Sequence, residues 1–176
     1  MDQETETVDN RARRLHSILT RKQIAILAAV PAIFISAILF INSHKVHSDG
    51  PRAGSAECSD IVDRSPDTVD SESRDWVIGN GVASWGNSTT VLRCGVNETG
   101  PTVDLCISVD GVDWVLDEKH LNATGVSILT AYGRSPEVQI TYSGPRENVG
   151  GVLVDIGDSV SRIKQERKCI GYGEGL

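Results

Sequence analysis

The residue types that carry most catalysis and metal binding are few and poorly spaced in this sequence. His120 stands in the polar run Asp117–His120, where we expect a solvated loop. Ser135 precedes a proline, and no Gly-x-Ser-x-Gly nucleophile motif occurs. His44 and His47 form a short pair that would hold a metal only weakly. The sequence therefore predicts no enzyme activity and no catalytic, cofactor-binding or metal-binding residues.

The best candidate for a calcium site is a group of four aspartates around Asp110-Gly111, where a β-hairpin is predicted. They lack the Asp-x-Asp-x-Asp-Gly spacing of a calcium-binding loop. Alternation along Val112–Leu116 also sets Asp113 on the strand face opposite Trp114, so a solvated face is the expected role. The group consists of Asp104, Asp110, Asp113 and Asp117.

The cysteines have the pattern of a disulfide framework. The sequence holds 4 of them, Cys58, Cys94, Cys106 and Cys169, and no two have the Cys-x2-Cys spacing of a zinc site. All of them follow the apolar segment Ile24–Ile41, a predicted membrane span, and an even number of cysteines beyond a membrane span is typical of an oxidising compartment. Of the three pairings that four cysteines allow, we expect Cys94–Cys106 between neighbouring strands and Cys58–Cys169 between the ends of the domain.

An apolar segment near the N-terminus predicts a membrane anchor. Ile24–Ile41 contains no charged residue, and only Ser36 interrupts its apolar character. As a helix it would measure about 27 Å, close to the hydrocarbon thickness of a bilayer. A signal peptide cleaved before Asp49 is the competing interpretation, but the run is longer than the usual signal core. We therefore expect an uncleaved, single-pass span in contact with the lipid bilayer.

The charges on either side of this span predict its orientation. Five basic residues lie in the segment 1–23, and Lys45 stands on the other side. The positive-inside rule then places the N-terminus in the cytoplasm and the rest of the chain outside the cell membrane. The net charge of −7 excludes nucleic acid as an expected partner. The predicted segments are a cytoplasmic tail 1–23, the anchor 24–41, a linker 42–57, an extracytoplasmic domain 58–170 and a tail 171–176.

The sequence of the extracytoplasmic domain predicts mainly β-structure. Asp110-Gly111 is a strong tight-turn signal between two strands, and a short helix is expected within Ser59–Asp75. From Val149 to Ile163 the apolar residues recur every three or four positions, which predicts a C-terminal helix. The expected fold is α+β, an antiparallel sheet packed by that helix and held by two disulfides. The predicted strands are Thr89–Val96, Leu105–Val109, Val112–Leu116, Val126–Tyr132 and Glu137–Tyr142.

Four short motifs and the late Cys169 carry a family resemblance. The motifs are Ala83-Ser84-Trp85-Gly86, Leu92-Arg93-Cys94-Gly95-Val96, Asp110-Gly111-Val112-Asp113-Trp114 and Thr130-Ala131-Tyr132-Gly133-Arg134-Ser135-Pro136. In this order they resemble an actinobacterial, DUF3515-like family of secreted or membrane-anchored envelope proteins of unknown function. The resemblance implies a Gram-positive cell-envelope location and structural cysteine pairs, and it implies no activity. Before Trp76 the chain departs from the family pattern, with Asp60, Asp63 and Arg74 where the family has a more apolar helix and paired arginines.

Trp85, Arg93, Trp114 and Arg134 are the candidate contact residues, because Trp and Arg are enriched in interface hot spots. The alternative is structural: these tryptophans and Trp76 form the core, and the arginines pair with acids. Two functions follow. The first is a non-enzymatic accessory subunit of a membrane or cell-envelope complex. The second is an envelope enzyme or ligand-binding module with an Arg/Trp-lined site.

Three Asn-x-Ser/Thr sequences, at Asn87, Asn97 and Asn122, match the glycosylation pattern. If the family resemblance holds, we expect these sites to carry no sugar.

Overall fold

The structure is a computed structural model that describes residues 30, 31, 33–35, 45, 46 and 49–170. The predicted tails 1–23 and 171–176 and most of the predicted anchor Ile24–Ile41 lie outside these residues. Residues 30, 31 and 33–35 are helical. No helix among the described residues is both long enough and apolar enough to cross a membrane. The folded unit begins at Lys45.

The described residues of this unit form ten strands and three α-helices. All five predicted strands and the predicted C-terminal helix are present, and two of the strands have the predicted bounds. In chain order the elements are β1 (Lys45–Val46), α1 (Ala56–Arg64), β2 (Thr68–Val69), β3 (Glu72–Ser73), β4 (Val77–Ile78), β5 (Val82–Trp85), β6 (Thr90–Val96), β7 (Cys106–Val109), β8 (Val112–Leu116), α2 (Glu118–Thr124), β9 (Ser127–Ala131), β10 (Glu137–Tyr142) and, after a 3₁₀ turn at Arg146–Asn148, α3 (Val149–Ser161).

Strands β5 to β10 form one six-stranded sheet in the order β5-β6-β10-β9-β8-β7. Every neighbouring pair in it is antiparallel. The remaining strands make two small pairs, β2 with β3 and a parallel pair of β1 with β4. The predicted α+β fold, with an antiparallel sheet and a C-terminal helix, is confirmed.

One face of the sheet carries the hydrophobic core. Leu92, Ile140 and Leu129 lie opposite one another on β6, β10 and β9 and are buried. Helix α3 adds Val152 and Ile156 to the same core cluster. Since successive side chains of a strand point to opposite faces, the intervening residues lie on the second face. Arg93, Gln139, Thr130, Val115 and Cys106 form one row across that second face.

The Asp110-Gly111 turn between β7 and β8 has the predicted geometry. Both residues have positive φ, 48° and 76°. This is the conformation that lets a two-residue turn match the twist of the strands it joins. Glycine adopts it without strain, and aspartate tolerates it.

One helix begins earlier than predicted, and a second helix was not predicted. Helix α1 begins earlier than expected, because the Ser55 side chain accepts a hydrogen bond from the Cys58 N–H and caps the helix at Ala56. The expected loop around His120 is wrong. Asp117 accepts the His120 N–H at 2.8 Å and starts helix α2 there, and Gly125 ends the helix with a positive φ of 78°.

Part of the predicted linker 42–57 lies against the sheet. The Arg52 N–H donates to the Gly95 carbonyl at 3.0 Å, and Ala53 is buried. Gly50 also packs against the backbone of Gly95, so closely that a Cβ on either glycine would overlap backbone atoms. Asp49 accepts hydrogen bonds from Asn80. The chain is therefore bound to the domain well before Cys58.

All four cysteines form disulfides, but the expected pairing is wrong. The pairs are Cys58–Cys94 and Cys106–Cys169. Three strands lie between β6 and β7 in the sheet, so Cys94 and Cys106 are separated by four strand spacings, about 19 Å. They also point to opposite faces. A disulfide needs Cα atoms about 4.4–6.8 Å apart, so this order excludes the Cys94–Cys106 bridge.

Candidate functional site

Two of the predicted contact residues, Trp85 and Trp114, belong to the core. Both are fully buried. The Trp85 indole N–H donates to the Pro66 carbonyl at 2.9 Å, and the Arg74 guanidinium lies 5.9 Å from the ring centroid. The structural alternative is thus the correct one for these two residues. For Trp76 it is wrong, because that side chain is 61% exposed.

Arg134 is also inside the domain, with 4% of its surface exposed. Its guanidinium donates to the carbonyls of Ser161, Ile163 and Gly111. Burial lowers the pKa of Arg134 from its ordinary value, and the charge of Asp113 acts in the opposite direction. Arg134 therefore joins the end of α3 to the β7–β8 turn, and these donors are not presented to a partner.

Arg93 is half-buried, and it is the one predicted contact residue that is not fully inside the domain. It lies on the second face of the sheet, opposite Gln139 on β10 and Val82 on β5. Its Nε is buried and has no hydrogen-bond partner among the described residues. The four predicted contact residues are thus not brought together into one exposed site.

The aspartates considered for calcium serve separate local structures. Asp117 caps α2, and Asp104 accepts a hydrogen bond from the Thr102 hydroxyl at 2.6 Å. Asp110 stands in the turn. Among the described residues, no three His, Cys, Asp or Glu side chains gather as metal ligands.

Asp113 holds the C-terminal segment against the sheet. Its Oδ2 accepts hydrogen bonds from the Gln165 side chain at 2.8 Å and from the Cys169 N–H at 3.0 Å. Partial burial favours the protonated form. The hydrogen bonds, the first of which comes from the Cys169 backbone, outweigh burial and lower the pKa of Asp113 from its ordinary value. Sequence alternation predicted only a solvated position for this residue.

Glu137 is a buried acid with a structural role that the sequence did not predict. The side chain is fully buried, and its carboxylate accepts hydrogen bonds from the backbone N–H groups of Thr99 and Gly133, at 2.6 and 3.3 Å. Arg167 lies 3.7 Å away as its ion-pair partner. A single acid at the start of a strand carries no sequence signal that would distinguish it from an exposed one.

A groove of about 290 Å³ lies beside the start of β7. One wall is the segment that enters β7, and the other is the C-terminal segment, which the Cys106–Cys169 disulfide joins to it. Val103 and Ile170 are strongly exposed, and Leu105 is half-exposed. The residues around the groove include Val103, Leu105, Val115, Tyr132, Lys168 and Ile170.

Strand β7 next to this groove is an edge of the sheet, hydrogen-bonded to β8 alone within the described sheet. The Leu116 N–H donates to the Leu105 carbonyl, which fixes the alternation of the pair. The backbone groups of Cys106 and Ser108 consequently point away from β8. An edge of this kind, with apolar side chains beside it, can accept another extended chain.

The opposite edge strand, β5, has a covering segment. The Asp75 N–H donates to the Ser84 carbonyl, and the Gly86 N–H donates to the Ser73 carbonyl. Just beyond this cover, Trp76 and Ile78 expose 61% and 50% of their surface. The two edges thus differ among the described residues: β5 is covered by its own chain, and no described segment pairs with the outer side of β7.

The fold and these surfaces define a disulfide-bonded α+β domain in which β7 is an edge strand that no other described segment covers. The sequence matches the family described as "Protein of unknown function (DUF3515)" over residues 24–169. This match covers most of the chain, and the chain belongs to that family. No curated protein and no solved structure matches the chain.

Proposed function

We propose that this protein is a single-pass membrane protein of an actinobacterial cell envelope whose extracytoplasmic domain acts as a non-enzymatic accessory subunit. Ile24–Ile41 is the proposed anchor, with the N-terminus in the cytoplasm. The domain binds an extended segment of a membrane-complex partner along β7. The β7 edge carries this proposal: no other described strand pairs with it, and the outward backbone groups of Cys106 and Ser108 lie beside a groove with exposed apolar residues.

The chemistry of the partner segment follows from the edge it meets. Backbone hydrogen bonds to β7 supply affinity without regard to sequence, and the groove selects side chains. Val103, Leu105 and Ile170 favour apolar residues in the partner segment. The Cys106–Cys169 disulfide fixes both groove walls before binding, which reduces the ordering cost of association.

Site-specific photocrosslinking in the native membrane tests this proposal. A photoreactive phenylalanine replaces Leu105 at the groove or, as the control, Val154, which is 50% exposed on α3. We expect one discrete crosslinked product from position 105 and none from position 154. Equal products from both positions, or none from position 105, would contradict the proposal.

Two substitutions at Ser108 separate backbone pairing from side-chain contact. Ser108→Pro removes the outward N–H and blocks an added strand, whereas Ser108→Ala keeps that N–H. We expect the position-105 product to be lost in S108P and kept in S108A. Thermal unfolding of both variants checks that the domain itself is intact.

The competing function, a ligand-binding module, retains one supporting observation. The buried Nε of Arg93 has no partner within the described part of the chain, and a guanidinium favours carboxylate or phosphate ligands. Calorimetric titration with inorganic phosphate and acetate tests it. Binding by the parent that disappears in Arg93→Ala would favour this function, and the absence of heat would remove its basis.

A further inference from the structure

We propose that the corner of the domain formed by Trp76 and Ile78 rests on the outer surface of the lipid bilayer, with the Trp76 indole among the lipid headgroups. This inference rests on the proposed membrane anchor. It adds a second lipid contact, made by the folded domain itself.

The chain between the anchor and this corner is short. The proposed anchor ends at Ile41, and β1 pairs Lys45 with Val77 and Val46 with Ile78. Four residue steps of fully extended chain span at most about 14 Å. One headgroup layer is about 5–8 Å thick, half the difference between the total and the hydrocarbon thickness of a bilayer. The length of this tether therefore limits how far the corner of Trp76 and Ile78 can lie from the end of the proposed anchor.

A second attachment limits the same corner independently of β1. The Asp49 carboxylate accepts hydrogen bonds from the backbone N–H of Asn80 at 2.9 Å and from its side-chain amide at 3.3 Å. Eight residue steps separate Ile41 from Asp49, so the chain reaches at most about 29 Å even when fully extended. The predicted linker of sixteen residues is thus not a long spacer. Its second half is part of the domain surface.

The exposed side chains at this corner suit a lipid surface. Trp76 is 61% exposed and Ile78 is 50% exposed. Tryptophan favours the membrane–water interface, because its ring is apolar while its N–H bonds to water or headgroups. The tether also holds these residues at a high effective concentration near the bilayer, so a weak contact is enough.

This placement leaves the proposed partner edge accessible. Strand β5 follows the corner directly, and β7 is at the other end of the sheet. Five strand spacings separate the two edges, about 24 Å. The domain can therefore contact lipid at one edge and a partner at the other.

Tryptophan fluorescence tests the contact directly. The protein has 3 tryptophans, and Trp85 and Trp114 are fully buried, so Trp76 reports the surface. The full chain is reconstituted into phosphatidylcholine vesicles with plain acyl chains or with acyl chains brominated near the glycerol end. We expect brominated lipid to quench part of the emission of the parent and none of the emission of Trp76→Phe.

A relocated tryptophan provides the matched control. Val103→Trp in the W76F background sets an exposed indole beside β7, where Val103 is fully exposed. We expect no quenching there. Equal quenching of Trp76 and V103W, or no quenching of the parent, would overturn the docked orientation.

Flotation of the same vesicles separates this inference from the proposed function. If the protein floats with the vesicles but Trp76 is not quenched, the anchor stands and the surface contact is wrong. If the protein does not associate with the vesicles, the anchor itself fails, and the inference fails with it.

Discussion

Arg74 and Arg134 bind the C-terminal ends of two different helices in the same way. Arg74 donates to the carbonyls of Val62 and Ser65 at the end of α1, at 2.6 and 2.9 Å. Arg134 donates to those of Ser161 and Ile163 at the end of α3. The last carbonyls of a helix lack intrahelical partners and carry partial negative charge, so a guanidinium stabilises them. Each arginine comes from a different part of the chain and ties its helix to the sheet.

Replacing Arg134 tests this role. We expect Arg134→Ala to lower the free energy of unfolding by about 2–4 kcal/mol, because buried carbonyls lose charged hydrogen bonds. Arg93→Ala is the matched control. Arg93 is half-buried, and its buried Nε has no partner among the described residues. We therefore expect a change of within about 1 kcal/mol. Urea denaturation measures both variants, and similar losses would show that arginine packing alone accounts for the effect.

The disulfide pairs differ in loop length and in burial. Their sequence separations are 36 for Cys58–Cys94 and 63 for Cys106–Cys169. Chain entropy favours the longer loop by only about 0.5 kcal/mol. Cys58 and Cys94 are fully buried in the core cluster, and each methyl-sized cavity costs about 1 kcal/mol. We therefore expect the double alanine variant at 58 and 94 to lose more stability than the one at 106 and 169.

Chemical unfolding of the two double variants checks that order, and non-reducing peptide mapping checks the pairing. Mapping should recover Cys58 linked to Cys94 and Cys106 linked to Cys169. A peptide joining Cys94 to Cys106 would contradict the sheet order.

Tyr142 makes the stability of the domain depend on pH in the alkaline range. Burial, with a 2.8 Å hydrogen bond from the hydroxyl to Asp70, raises the pKa of Tyr142 to about 12. The unfolded value is about 10. Because the folded state holds the proton more tightly, this contribution to stability is complete below pH 10. It is lost as the pH rises through 12. Unfolding free energy measured across this interval should fall more steeply for the parent than for Tyr142→Phe, and equal slopes would refute the shift.

Glu137 should tolerate no loss of charge. The Glu137 carboxylate accepts from the backbone N–H groups of both Thr99 and Gly133. In Glu137→Gln the side-chain NH₂ group replaces one of the two oxygens and faces one of these N–H groups as a second donor. We expect a loss of about 2–3 kcal/mol, because a buried donor is left without an acceptor. Glu166→Gln is the control, since that residue is exposed, and its stability should change by less than about 0.5 kcal/mol. Thermal denaturation of both proteins distinguishes these outcomes.

The local elements of the domain were largely predictable. Alternation along β8 and β10 and the Asp110-Gly111 turn depend on neighbouring residues, and their observed bounds and geometry match the prediction. Helix α2 was missed because its signal is a single capping interaction between Asp117 and the His120 N–H, within a short polar run. Such a run has the composition of a loop.

The burial of the candidate contact residues could not be predicted from the residues next to them in sequence. Trp76 and Trp85 are nine residues apart with similar surroundings, yet one is exposed and the other fully buried. Trp85 lies on the core face of β5, while Trp76 precedes β4 outside the main sheet. Which tryptophan faces the core follows from how the strands associate.

By itself, the sequence determined the family, the α+β class, the strands, the C-terminal helix and the involvement of every cysteine in a disulfide. These properties follow from composition, short motifs and periodicity, which act over a few residues. Only the tertiary structure decided the strand order, the partner of each cysteine, the burial of Arg134 and Glu137, and the binding of residues 49–53 to Gly95 and Asn80. Those properties depend on contacts between segments that are distant in sequence, and these contacts are stabilised by the packing of the whole core.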